Sequence, residues 1–195
     1  MESNKKYDEE AYKLFAKLQS ESNNDRYNKM DLVWEENSSG AKIYVGGVLA
    51  SKDKEFLIHS GIKRIVNTQG SQTSNPFEND KDENGNPVFL YHRISVVQTP
   101  SLINHEAVWN FFVNFFKWMD EGIKNGDSIL IHCLAGAHRA PTTAASYLLY
   151  HTRLPKQDVV NHLKLCRPIV DLSFSVSNVL GVIEQILQEK ESTQQ

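Results

Sequence analysis

Between residues 129 and 150 the chain passes from an apolar run, Ile129-Leu130-Ile131, through the segment 132–139, to a helical repeat that starts at Thr142. A buried strand that feeds a helix through so short a loop belongs to a sheet with parallel neighbours, because the helix packs back across a face. Earlier segments alternate in the same way. Val33 and Ile43-Tyr44-Val45 mark two short strands around the turn Asn37-Ser38-Ser39-Gly40, and Gly46-Gly47 ends the second. Ser51 is placed to cap a helix running through His59, which Gly61 closes. Ile62, Ile65 and Val66 read as a buried parallel strand, and 88–94 as another. From the N-cap Asn104, Val108, Phe111, Phe112, Phe115, Phe116 and Met119 recur at three and four, the stripe of a buried helix ending near Gly122 or Gly126. Three helices follow, at 142–150, 156–166 and 174–188, punctuated by Pro155 and Pro168. The expected class is α/β, a central, mostly parallel sheet flanked by helices.

Residues 71–87, rich in Asn, Asp, Glu, Gly and Pro, read as a surface loop. Near the start, Tyr7, Ala11, Leu14, Phe15 and Leu18 share one helical face and predict a docked helix. The chain of 195 residues therefore divides into an N-terminal helical extension, 1–29, and one domain, 30–190. Its 21 Lys and Arg stand against 24 Asp and Glu, a net charge of -3, so no global basic field exists to hold nucleic acid or an acidic membrane. Any anion is bound locally. The apolar stretch 108–119 is broken by Asn110, Asn114 and Lys117 and is too short to cross a bilayer. The termini lack the Gly and Cys that lipid attachment needs, and no membrane partner is expected. Two cysteines, Cys133 and Cys166, and no signal-like opening run predict a reducing compartment, the cytoplasm or nucleus.

The chemistry lies in His132-Cys133-Leu134-Ala135-Gly136-Ala137-His138-Arg139. A thiol at the carboxyl end of a strand, a loop of small residues and an arginine at a helix start describe a cradle for an anion. The N–H groups of Leu134, Ala135, Gly136, Ala137, His138 and Arg139 can converge on one point, since the small residues stay clear and Gly136 permits a positive φ. Those amides would favour the thiolate of Cys133, a nucleophile at neutral pH, and the Arg139 fork can hold two phosphate oxygens.

This segment resembles the His-Cys-x-x-Gly-x-x-Arg signature of the cysteine-based protein tyrosine phosphatases. The approach Ile43-Tyr44-Val45-Gly46-Gly47 and the chain length are similar to the dual-specificity branch, and the resemblance covers about residues 31–188. It implies a phosphatase fold and a two-step displacement with no metal or cofactor. Cys133 attacks phosphorus, a phosphocysteine forms, and water releases phosphate, with Arg139 and the loop amides binding the phosphoryl oxygens. His132 would tune Cys133 from behind.

Two positions depart from the family. The residue after the loop arginine, usually Ser or Thr, is Ala140, and Thr142 and Thr143 are the nearby hydroxyls. The general-acid position, usually Asp, is Gln98, which has no proton to give in that role. From Asp82 to Asp120 the carboxylate available instead is Glu106, with His92 and His105 as weaker substitutes. His138 is expected at the pocket rim in solvent, and Cys166, with Leu163 and Leu165 nearby, is expected to fill the core. His59, His151 and His162 show no metal-ligand spacing. The expected activity is hydrolysis of phosphotyrosine, then of phosphoserine or phosphothreonine, in a phosphorylated protein substrate, slowed by the missing acid. The alternative is a phosphatase-like module that binds phosphorylated partners and turns over little.

Overall fold

Strand β5 (Ser128–His132) takes the centre of the sheet because both its faces are apolar. Ile129 and Ile131 point to one side and Leu130 to the other, as a two-residue period requires, and all three are fully buried. Flanking it, both parallel, are β2 (Lys42–Gly46) and β3 (Ile62–Asn67). β1 (Met30–Glu35) runs antiparallel along β2, and β4 (Leu90–Arg93) runs parallel along β3, giving the order β1-β2-β5-β3-β4. The computed structural model describes residues 12, 13, 16, 28–70, 73–101, 104–172 and 178–193.

The face carrying Leu130 is covered by two short helices, α1 (Val48–Ser51) and α2 (Lys54–His59), over a small core of Leu57, Ile62, Ile65 and Phe89. The Ile129 and Ile131 face carries the main core. It lies under α3 (His105–Lys124), α4 (Arg139–Thr152), α5 (Lys156–Cys166) and α6 (Asn178–Ser192). Asp120 of α3 accepts hydrogen bonds from the hydroxyls of Tyr147 and Tyr150 of α4, each at 2.9 Å, and so fixes α4 against α3. Asn104 caps α3 through the Ala107 N–H at 2.8 Å, as read from the sequence. Among the described residues no helix is long and apolar enough to cross a membrane.

Three expectations change, and the choice between Gly122 and Gly126 for the end of α3 falls on Gly126. The cap at the start of α2 is Asp53, which accepts from the Phe56 N–H, whereas the Ser51 hydroxyl donates to Val48 O and closes α1. The strand read at 88–94 pairs only over Leu90–Arg93. Gly122 does not stop α3; a Cβ there would lie 2.7 Å from Cδ of the buried Arg64, so this glycine makes room for that side chain, and Gly126 (φ 76°) ends the turn. The last helix, described over Asn178–Ser192, runs past the expected end at 188, and residues 173–177, where its start was expected, lie outside the described residues. So do Tyr7, Ala11, Leu14, Phe15 and Leu18 of the expected N-terminal helix.

Candidate active site

Strands β2, β5 and β3 end side by side at Gly46, His132 and Asn67, and their carboxyl ends open the crevice where ligands of parallel sheets sit. The loop 133–139 starts there, and the carbonyls of Leu134 through Ala137, like that of His132 before it, are held from outside. His132 O accepts from the Thr68 N–H (3.0 Å) and Thr68 Oγ1 (2.8 Å). Leu134 O accepts from the Val48 N–H and Ala137 O from the Asp171 N–H, both at 2.9 Å. Ala135 O and Gly136 O accept from one guanidinium, Arg167 Nη2 at 3.1 Å and Nε at 2.9 Å. In a planar trans peptide the N–H points away from the C=O before it, so four outward carbonyls turn the amides of Ala135, Gly136, Ala137 and His138 inward. The Gly136 N–H accordingly donates to Cys133 Sγ at 3.2 Å. Gly136 has φ 71°, and a Cβ on it would lie 2.6 Å from Gly46 O and 2.9 Å from Arg167 Nη2, so the position takes only glycine. Cys133 is buried, and Arg139 opens α4 with 8% exposure.

Behind the thiol, the ring of His132 is 2% exposed, and neither nitrogen has a hydrogen-bond partner among the described residues. Burial, helped by the positive charges of Arg93 and Arg139 and opposed by the Cys133 backbone, pushes its pKa down to about 4. The unfolded chain then takes up this proton first, near pH 6.5. Stability from this group is complete above that value and falls as the pH is lowered toward 4, by about 3 kcal/mol in all. Urea unfolding at pH 7.5 and 4.5 measures it: His132→Asn is expected to flatten that fall, and an unchanged pH slope would remove His132 as its source.

The other residues singled out from the sequence are placed as follows. His138 is 6% exposed, not in solvent at a rim, because the segment after α5 folds over the loop and bonds Ala137 O through Asp171. Ala140 is fully buried, and the hydroxyls of Thr142 and Thr143 donate back to His138 O and Arg139 O, both at 2.9 Å. Gln98 lies in the 3-10 turn Val96–Ser101, its side chain outside the described residues. Glu106 is exposed on the first turn of α3 and lines a cavity with Trp109, Ile186 and Glu189, apart from the one that reaches His132 and Leu134. His105 pairs with Glu189 at 3.2 Å, and His92 packs against Phe115 and Trp118, where burial lowers its pKa.

Cys166 is half-buried at the edge of the core, while Leu165 beside it is 83% exposed rather than packed. Burial raises the Cys166 pKa, and His162 Nε2, 3.6 Å from its sulfur, is committed as a donor to Val33 O at 2.6 Å. The residue that sequence reasoning passed over is Arg167. It is buried at 3% exposure and also bonds Asn28 O and the Asp31 carboxylate at the start of β1. Pro168 beside it signals only a helix end, and nothing local reveals that the arginine turns inward.

A doubly flanked, mostly parallel sheet with a buried thiol at its central carboxyl end, amides turned toward that sulfur and an arginine opening the next helix define a cysteine-based phosphatase fold. Residues 43–186 match the family described as dual specificity phosphatase, catalytic domain, and the chain belongs to it. Protein-tyrosine-phosphatase MKP1 of Arabidopsis thaliana is 26% identical over 66% of this chain and 15% of its own length. Dual specificity protein phosphatase 15 of Rattus norvegicus is 28% identical over 66% of this chain and 49% of its own. The chain thus spans half or less of these two relatives. Among solved structures, human DUSP28 superposes with a TM-score of 0.63 at 19% identity, over 83% of this chain and 96% of that one, which is a likeness of fold.

Proposed function

We propose that the chain is a phosphoprotein phosphatase that hydrolyses phosphotyrosine, and phosphoserine or phosphothreonine more slowly, through a phosphocysteine. The observation that carries this reading is the outward clamping of four consecutive loop carbonyls, which aims the intervening amides at the space above Cys133 Sγ. Charge on a phosphoryl group and its transition state is stabilised there by donors that need no reorganisation. Sγ attacks phosphorus as the ester P–O bond breaks, its electron pair leaving on the alcohol or phenol oxygen. Water then attacks phosphorus, the P–S bond breaks, and the thiolate and inorganic phosphate are released. Arg139 holds two phosphoryl oxygens through both steps.

Both departures from the family slow this cycle. With Gln98 at the acid position the leaving oxygen departs unprotonated, which penalises alkyl esters most. Gln98→Asp is expected to accelerate hydrolysis of a phosphothreonine peptide by about 10²-fold and of p-nitrophenyl phosphate far less. Equal rates before and after would place proton donation elsewhere. Ala140 supplies no hydroxyl to the departing thiolate, and the two nearest are spent on the backbone.

That last observation favours a second reading, a module that captures phosphate groups and turns over little. Rapid-quench kinetics with p-nitrophenyl phosphate separates the two. A burst of one p-nitrophenol per chain, a phosphorylated Cys133 peptide and a continuing steady rate support the enzyme. A burst that stalls supports the module, and no burst with no phosphorylated cysteine overturns the nucleophilic reading.

A further inference from the structure

Thr68 is the first residue after β3 and is fully buried. Its N–H donates to His132 O at 3.0 Å, which extends the β3–β5 ladder past the paired residues Asn67 and His132. Its hydroxyl donates to the same oxygen at 2.8 Å. Any residue except proline would make the first bond, because a parallel ladder supplies one backbone donor to that carbonyl. The second bond is a side-chain commitment that strand pairing does not require.

The doubly bonded carbonyl belongs to the peptide that joins His132 to Cys133. That peptide is planar, so holding its oxygen fixes the direction in which the Cys133 Cα carries its side chain. From the other neighbouring strand, Gly46 O accepts from the Cys133 N–H at 3.3 Å, a long bond. The thiol is thus steered more firmly from β3 than from β2. The imidazole that precedes the thiol takes no part in this, since neither nitrogen of His132 has a hydrogen-bond partner among the described residues. Direction matters at this sulfur, which meets the Gly136 N–H at 3.2 Å and has to come into line with an ester bond to displace its oxygen.

We propose that the Thr68 hydroxyl is a positioning group for the nucleophile: through His132 O it holds the 132–133 peptide so that Cys133 Sγ lies under the incoming phosphorus. The inference rests on the phosphatase reading, because it gives Thr68 a part in the attack by Cys133. Binding of the phosphoryl group stays with the amides of Ala135 to His138 and with Arg139. A hydroxyl that only braced β3 against β5 would change stability and leave the chemistry of each folded chain as it is.

The test uses the full chain with Thr68→Val and Thr68→Ser. Valine keeps the branched shape and the N–H and deletes the hydroxyl; serine keeps the hydroxyl and deletes the methyl. Rapid-quench kinetics with p-nitrophenyl phosphate reads the burst rate, isothermal titration with inorganic phosphate reads Kd, and iodoacetate at pH 7 reads the reactivity of Cys133. Urea unfolding sets each value per folded molecule. Thr68→Val is expected to slow the burst about ten-fold and alkylation by a few-fold, with the phosphate Kd within about two-fold of the natural chain. Thr68→Ser is expected to recover most of both rates. If Thr68→Val does not fold, Thr68→Ala deletes the hydroxyl without adding bulk, and the same three measurements decide.

A hydroxyl-free chain that is less stable yet bursts and alkylates at the natural rate overturns the proposal. So does a loss in Thr68→Ser equal to that in Thr68→Val, or a weakening of phosphate binding as large as the loss of rate. Absence of any burst and of phosphorylated Cys133 in the natural chain defeats the phosphatase reading instead. Slower alkylation in Thr68→Val then still supports the placement of the sulfur by Thr68, and equal alkylation overturns it.

Discussion

Cys133→Ser is expected to lower steady hydrolysis of p-nitrophenyl phosphate by roughly 10⁴-fold or more, while binding of phosphate and vanadate stays within a few-fold of the natural chain. The two halves of this result have separate causes. On the proposed reading turnover needs the sulfur nucleophile, and a serine hydroxyl with no adjacent base attacks phosphorus poorly. On the proposed reading, oxyanion binding rests on the inward amides and Arg139. Those amides are oriented from behind by Thr68, Val48, Arg167 and Asp171, none of which depends on the sulfur. Isothermal titration with vanadate and a continuous p-nitrophenol assay measure the two quantities. Retained turnover would mean that another group attacks phosphorus, and loss of both would mean that the sulfur itself holds the loop open.

The elements whose signals are local were legible in the sequence. The helix at 156–166 follows from Pro155 and its apolar stripe, the start of α3 from Asn104, and the βα passage at 129–150 from an abrupt change of period. The loop 132–139 was legible for the same reason, since its small residues and its glycine at positive φ are neighbours in the chain. What was not legible depends on distant partners. Ser51 and Asp53 are both good caps by type, and only the break between two short helices selects Asp53. His138 reads as a rim residue until the segment around Asp171 closes over it. Gly122 looks like a helix stop until Arg64, on a strand 58 residues earlier, fills the space beside it. Arg167 bonds partners 31 and 139 residues away, a separation that no periodicity reports.

Arg167→Met is expected to weaken the chain twice over, in folding and in catalysis. Removing the guanidinium leaves the Asp31 carboxylate, with 15% of its side-chain surface exposed, facing a hydrocarbon, a loss of about 3–5 kcal/mol for a largely buried pair broken on one side. It also frees Ala135 O and Gly136 O, which then have no donor to hold them outward. Either peptide can flip, and a flipped peptide presents a carbonyl oxygen to the phosphoryl group where an amide should be. Losing such donors costs about 10²–10³-fold in rate. The catalytic loss is therefore expected as a fall of that size in kcat/KM per folded molecule, with slower alkylation of Cys133 by iodoacetate at pH 7. Arg167→Lys should fall between, because an ammonium reaches one carbonyl while the planar fork spans two. Asp31→Asn keeps a hydrogen-bonding partner for Arg167 and is expected to lose stability with a much smaller loss of rate. If Arg167→Met unfolds at lower urea yet hydrolyses and alkylates at the natural rate per folded molecule, the arginine only braces β1 against the end of α5, and the amides are aimed by Val48, Thr68 and Asp171 alone.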